Sequence, residues 1–102
     1  MSHGLIKLEG PGGARYLEWS TIVDAPITYG LTLDQLREHI RFRDGERGVE
    51  ALPERLARIE KSGTSFHNRT LGEVLACNRA GPDEATLNEE ELWAEYCSEG
   101  SA

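Results

Sequence analysis

The spacing of apolar residues changes period once along this chain, at Gly30, and that switch limits the folds open to it. Upstream, Ile6 and Leu8 alternate with Lys7 and Glu9, and a longer run from Ala14 to Val23 alternates again. In the longer run Leu17, Trp19, Thr21 and Val23 share one face, while Tyr16, Glu18, Ser20 and Ile22 share the other. Its β-branched and aromatic content suits a strand. Gly10-Pro11-Gly12-Gly13 separates the two runs with residues that tolerate turn dihedrals, so residues 4–23 read as a β-hairpin. Asp24-Ala25-Pro26 closes the second strand, because proline has no N–H to give to a ladder. Ile27-Thr28-Tyr29 offers a short third strand.

Downstream the signals are helical, and the helix starts are unusually explicit. Thr32 with Gln35, Thr70 with Glu73, and Asn88 with Glu91 each set a capping side chain three residues before a Gln or Glu. Leu31 and Leu36, and again Leu87 and Leu92, stand where a hydrophobic staple needs them. The first helix is expected to bury Leu33, Leu36 and Ile40 and to stop near Asp44-Gly45. Pro53 suits the first turn of a second helix, with Leu52, Leu56 and Ile59 as its stripe and Ser62-Gly63 as its stop. A third carries Leu71, Val74 and Leu75 and gives way to the loop Asn78-Arg79-Ala80-Gly81-Pro82; a fourth buries Leu92, Trp93, Tyr96 and Cys97.

A sheet of two or three antiparallel strands cannot stand alone in water, so helices must cover its Leu17/Trp19/Val23 face. The expected fold is therefore α+β: an N-terminal antiparallel β-hairpin of two or three strands packed against about four short helices. The length of 102 residues fits a single domain over 1–102, β-rich over 4–29 and helical over 32–98, with a frayed tail over 99–102. No apolar run approaches the roughly 20 residues of a membrane span. The N-terminus shows no basic-then-apolar leader, so a soluble, cytoplasmic protein is expected.

The net charge of −7 has an address. Residues 1–82 carry all 11 basic residues and 11 acidic ones, so Asp83, Glu84, Glu89, Glu90, Glu91, Glu95 and Glu99 supply the whole excess. Glu89–Glu91 follow the cap Asn88, where the helix dipole favours carboxylates. That local reason does not account for the absence of any Lys or Arg from the last twenty residues. Two uses remain: docking on the Arg37/Arg41 side of the first helix, or meeting a basic partner. The arginines at 37, 41, 43 and 47 are interleaved with Asp34, Glu38, Asp44, Glu46 and Glu50. They read as a solvated helix face, and the acidic balance argues against direct nucleic-acid binding.

Residues of catalytic type are few. Cys77 and Cys97 lack any Cys-x-x-Cys partner, and with His3, His39 and His67 they show no zinc spacing. They read as reduced, partly buried thiols, and pairing either with His67 for nucleophilic chemistry is a guess about space. Gly10-Pro11-Gly12-Gly13 lacks the Lys-Ser/Thr of a phosphate loop and precedes a strand. Asn68-Arg69-Thr70 matches a glycosylation sequon, but Thr70 is better used as a cap. No catalytic residue, metal or cofactor is expected.

Phe42 stands out among the aromatics. On a regular helix it points away from Leu33, Leu36 and Ile40; between Arg41 and Arg43 it has the make-up of an interface anchor, and packing against the following loop is the equal alternative. Tyr29, Phe66 and Trp93 are the other aromatics that could be left exposed.

Tyr16-Leu17-Glu18-Trp19-Ser20-Thr21-Ile22-Val23-Asp24-Ala25-Pro26, Leu31-Thr32-Leu33-Asp34-Gln35-Leu36 and Asn78-Arg79-Ala80-Gly81-Pro82 resemble small uncharacterised proteins of actinobacteria and their phages. The two lysines and the Arg-, Glu- and Ala-leaning usage are similar to such high-GC sources. The resemblance implies no activity, but a phage origin implies a small protein that acts on a host or virion protein. The expected function is thus a non-catalytic protein-binding domain, regulatory or adaptor in kind. Its candidate residues are Glu89, Glu90, Glu91, Glu95 and Glu99 of the acidic helix, with Phe42 and Arg41. The rivals are a nucleic-acid-mimicking inhibitor of a DNA-binding protein, a virion or structural subunit, and a small Cys/His enzyme.

Overall fold

The computed structural model describes residues 3–67 and 69–97. The alternating N-terminal runs form β1 (His3–Gly10) and β2 (Gly13–Ser20), antiparallel and in register from His3↔Ser20 to Gly10↔Gly13. Pro11 and Gly12 make the turn, and Gly12 and Gly13 hold φ of +88° and +112°, a region L side chains rarely enter. A two-residue strand, β3 (Ala25–Pro26), pairs with β2 at Trp19↔Pro26 and completes the order β1-β2-β3.

Two expectations are corrected here. β2 stops at Ser20, so Ile22 and Val23 lie outside it and are exposed. The Ser20 hydroxyl accepts from the Ile22 N–H and Asp24 takes a positive φ, which turns the chain early. The third strand is residues 25–26 rather than 27–29, because Pro26 sits on an edge strand, where a missing donor is tolerated.

Both faces of the sheet are buried. Ile6, Leu8, Leu17 and Trp19 pack with Val74, Leu92 and Cys97, whereas Leu5 and Tyr16 pack with Leu36, Ile40, Leu52 and Ile59. The period of two assigns alternate residues to opposite layers, and it sends Glu18 to the same side as Tyr16.

That second layer is α1 (Leu33–Ser62), 30 residues long and broken at Gly45 (φ 74°, ψ −165°). Drawn straight it would run about 45 Å, more than the molecule's longest extent of 36 Å. The two helices expected to end near Gly45 and to begin at Pro53 are the two arms of this one element. The second arm resumes directly after Gly45, so Pro53 is internal and not in a first turn. The described residues accordingly hold three helices rather than four: α1, α2 (Leu71–Ala76) and α3 (Glu89–Leu92). A 3-10 turn at Pro82–Glu84 precedes α3 and a π-helical turn at Trp93–Cys97 extends it.

All three capping boxes form. Thr32, Thr70 and Asn88 each accept from the backbone N–H three residues on, and Gln35, Glu73 and Glu91 return the bond. Leu33 is exposed rather than buried, and Leu31 fills that end of the Leu36/Ile40 cluster instead. The expected tail over 99–102 lies outside the described residues. Among the described residues, no helix is long and apolar enough to cross a membrane.

Candidate functional site

The acidic candidates lie together at the C-terminal end. Glu89, Glu90 and Glu91 form the first turn of α3, and Glu95 follows one turn later; all four are exposed. Glu91 bonds back to the Asn88 N–H at 2.8 Å, while Glu89, Glu90 and Glu95 have no ion-pair partner among the described residues. Glu99 lies outside the described residues. Among the described residues the acidic end does not dock on the first helix: Arg37 is bonded to Asp34 and Arg41 to both Glu38 and Glu46.

Glu91 and Glu95 instead line an open cavity of about 680 Å³ with Tyr29, Pro82, Leu87 and Tyr96. Tyr29 is 66% exposed, and its ring centroid stands 6.1 Å from that of Tyr96 at a tilt of 42°. Gly30 fixes this approach: its N–H donates to the Tyr96 carbonyl at 2.7 Å, and a Cβ there would fall 2.7 Å from the Cys97 sulfur. Burial, with help from Glu95 and Tyr29, pushes the Tyr96 hydroxyl above its ordinary pKa.

The aromatic candidates divide. Phe42 is 92% exposed, beside the Gly45 break, and Arg41 next to it is committed to Glu38 and Glu46. Trp93 lies over Gly10 and Phe66 over Gly4, each so close that a Cβ on the glycine would meet ring carbons within 3 Å. The phenylalanine at 66 and the tryptophan are therefore half-buried packing elements.

A second site was not foreseen. Glu18, only 1% exposed, is held between the sheet and α1 by three cationic or histidine partners. His39 Nε2 is 2.7 Å from its Oε1, His3 Nδ1 is 3.5 Å from its Oε2, and Arg43 bonds to the same Oε2. Burial alone would raise the Glu18 pKa, but the His39 and Arg43 bonds outweigh it and hold the carboxyl below its ordinary value. Because both faces of its strand are covered, a carboxylate between Leu17 and Trp19 must find counter-charge.

Beyond Arg43, the second arm of α1 and residues Ser65, Phe66, His67 and Arg69 line a groove of about 710 Å³. Arg43, Arg47, Arg55, Arg58 and Arg69 line it, with Asp44 and Glu54 as its only carboxylates. Arg58 Nε donates to the Ser65 carbonyl at 2.9 Å. Arg47, Arg55 and Arg69 make no side-chain hydrogen bond or ion pair with the described residues. Burial pushes the pKa of Arg55 down, against the attraction of Glu18 and Asp44. Read linearly these arginines looked cancelled by their acidic neighbours; the missed signal is that 47, 55 and 58 recur on one helical face.

The cysteine–histidine combinations do not meet in these sites. His67 lines the arginine groove and a smaller one beside it, and neither Cys77 nor Cys97 lines either. Cys77 is exposed at the end of α2; Cys97 is buried, which pushes its thiol pKa up despite Arg15 nearby. Among the described residues, no three His, Cys, Asp or Glu side chains are arranged to hold a metal ion.

No protein-family model, curated protein or solved structure matches this chain.

Proposed function

We propose that this chain is a small non-catalytic protein-binding domain, regulatory or adaptor in kind, whose acidic C-terminal end takes a basic segment of another protein. The observation that carries the reading is one cavity lined by Glu91, Glu95, Tyr29 and Tyr96, next to Glu89 and Glu90. Lys or Arg side chains gain twice there. Carboxylates without counter-ions attract them and speed encounter, and the exposed Tyr29, beside the partly buried Tyr96, offers a ring face for cation–π contact. Tyrosine is also enriched at interfaces, since it supplies contact area with little rotamer entropy to lose. A phage origin, one of the two sources that the resemblance to small proteins of actinobacteria and their phages implies, would favour a host protein as the target.

The test is capture from a native cytoplasm at low and high salt, with wild type beside Glu90→Gln/Glu91→Gln/Glu95→Gln. Gln at 91 can still return the capping bond to Asn88, so charge is removed while the helix start is kept. Basic proteins should be recovered by wild type at low salt, fall steeply with added salt, and be lost from the variant. Recovery unchanged by either salt or substitution refutes the acidic end as the binding surface.

A further inference from the structure

We propose that the groove between the second arm of α1 and residues Ser65, Phe66, His67 and Arg69 binds a phosphate-bearing small molecule, whose adjacent phosphates lie among Arg47, Arg55, Arg58 and Arg69. This site is separate from the acidic end and stands or falls independently of it.

The groove's walls are set before any ligand arrives. Along the helix, positions 47, 51, 54, 55 and 58 fall on one face, where three arginines stand with Ala51 and a single carboxylate, Glu54. Beside them Gly48 lets the arms of α1 close up: a Cβ there would stand 2.6 Å from Asp44 Cβ and 2.8 Å from Ile40 Cγ2. Small residues thus leave a hollow that longer side chains would fill. The opposite wall is tied to the sheet edge, since the Leu5 N–H donates to Ser65 Oγ at 2.8 Å and the Ser65 N–H to the Leu5 carbonyl at 2.9 Å. Thr64 Oγ1 donates to the Arg69 carbonyl at 3.0 Å and holds the backbone that carries Arg69. A site built this way loses little entropy on binding.

Charge selects the ligand. Glu18 consumes Arg43, and Arg58 is bonded through one nitrogen to Ser65, but Arg47, Arg55 and Arg69 donate to no acceptor among the described residues. Arg55 is half-buried, and a guanidinium withdrawn from water without an acceptor is unfavourable until an anion arrives. Its planar fork matches phosphate and carboxylate oxygens alike. Several such forks around one hollow favour a ligand with more than one negative charge, which adjacent phosphates supply. The volume of about 710 Å³ falls within the roughly 300–1,000 Å³ typical of small-molecule sites. A nucleic-acid backbone would have to approach a molecule of net charge −7 past the carboxylates Asp44 and Glu54.

The test is calorimetric titration of the whole chain with inorganic pyrophosphate and with ADP at about 50 mM salt, and with a 12-base-pair DNA duplex alongside. Both small molecules should bind one per chain. Equal affinities mean that the site reads phosphates only, and tighter ADP binding adds a contact to the nucleoside; each supports the proposal. Arg47→Gln, on an exposed side chain where folding is not at risk, and Arg55→Gln should each weaken binding about tenfold or more, the usual scale of a charge-assisted bond. Arg55→Lys should fall between, and Arg37→Gln outside the groove should change nothing. The proposal is overturned if neither small molecule binds folded protein at about 10 mM. It also fails if Arg47→Gln and Arg55→Gln leave binding intact, or if the duplex binds more tightly than pyrophosphate and loses that binding in the same variants.

Discussion

The two charged ends of this molecule are assembled in opposite ways. The acidic end is written in one stretch: Glu89, Glu90, Glu91 and Glu95 fall within seven residues, and the cap Asn88 that starts their helix stands beside them. The arginine groove draws on residues from 43 to 69, brought together by a helix break, and one of its arginines, Arg43, is tied to a carboxylate from a distant strand. In both, some charges are spent inside the fold and others are left over. At the groove Glu18 absorbs Arg43, and at the acidic end Asn88 absorbs one bond of Glu91. The leftover charges, not the totals, distinguish a surface able to take a partner. Arg37, Arg41 and Arg79 carry the same charge as Arg47 and Arg55, yet each is bonded to its own carboxylates.

The sharpest way to break this comparison is to remove the spent charge under the groove. Glu18→Gln leaves Arg43 and His39 without their anion in a place with little water, and breaking a buried pair in this way costs about 3 kcal/mol or more. Because the side chains of Arg43 and His39 are 38% and 28% exposed, the loss should fall at the low end of that range, read as a drop in urea midpoint at constant slope. The same residue sets a pH dependence. Its folded-state pKa lies below the unfolded value, so its stabilisation is complete above the ordinary carboxylate range. That stabilisation drains away as pH falls through the folded-state value. The stability gap between wild type and Glu18→Gln should therefore be widest near neutrality and close in acid. A gap that stays constant from pH 7 to pH 3 would mean that Glu18 is not held as a charge.

Next in size is Gly45, which aims the second arm of α1 along the groove. At φ 74° and ψ −165° it occupies backbone space open almost only to glycine. Gly45→Ala should cost about 1–3 kcal/mol, again read by urea unfolding, and should weaken any ligand of the groove more than any ligand of the acidic end. Equal weakening at both would show that the two ends are not independently built.

The difference between the two ends also explains how much could be read beforehand. Capping boxes are local chemistry within four residues, so Thr32, Thr70 and Asn88 announced their helices and all three formed. The hairpin was legible for the same reason, through Gly12 and Gly13 and the alternation around Leu17. The groove was hidden behind one misread residue. The break near Gly45 was placed correctly, but Pro53 looked like a helix start, which began the second arm too late and hid the fact that 47, 55 and 58 share a face. Glu18 was hidden because its burial depends on Leu36, Ile40 and Leu52 arriving from elsewhere in the chain. Phe42 was the reverse case: helical periodicity alone pointed it outward, and it is exposed.

A smaller effect is expected at the acidic end. Asn88→Ala removes the side-chain acceptor for the Glu91 N–H and should cost about 1 kcal/mol. Leu92 and Cys97 tie this end into the core with Ile6 and Trp19, so the loss should register in the global midpoint. Hydrogen exchange should accelerate first in residues 89–97. If exchange there is unchanged, the cap is not what holds the acidic turn.

The smallest effects test the idea that unites the two ends. Glu90 and Arg47 are both exposed and have no protein partner among the described residues, so neither contributes a bond to folding. Each has neighbours of its own sign: Glu90 stands between Glu89 and Glu91, and Arg47 shares the groove with Arg43, Arg55, Arg58 and Arg69, which outnumber its carboxylates Asp44 and Glu54. Neutralising either relieves repulsion, and for Glu90 this is offset by losing a carboxylate from the first helical turn, where the dipole favours one. Glu90→Gln and Arg47→Gln should therefore each leave stability within about 0.5 kcal/mol of wild type, and added salt should narrow even that difference. A loss above about 1 kcal/mol in one of them would mean that its charge is already spent on the fold. That end of the molecule would then be a structural ion network like the one at Glu18, with no charge left for a partner.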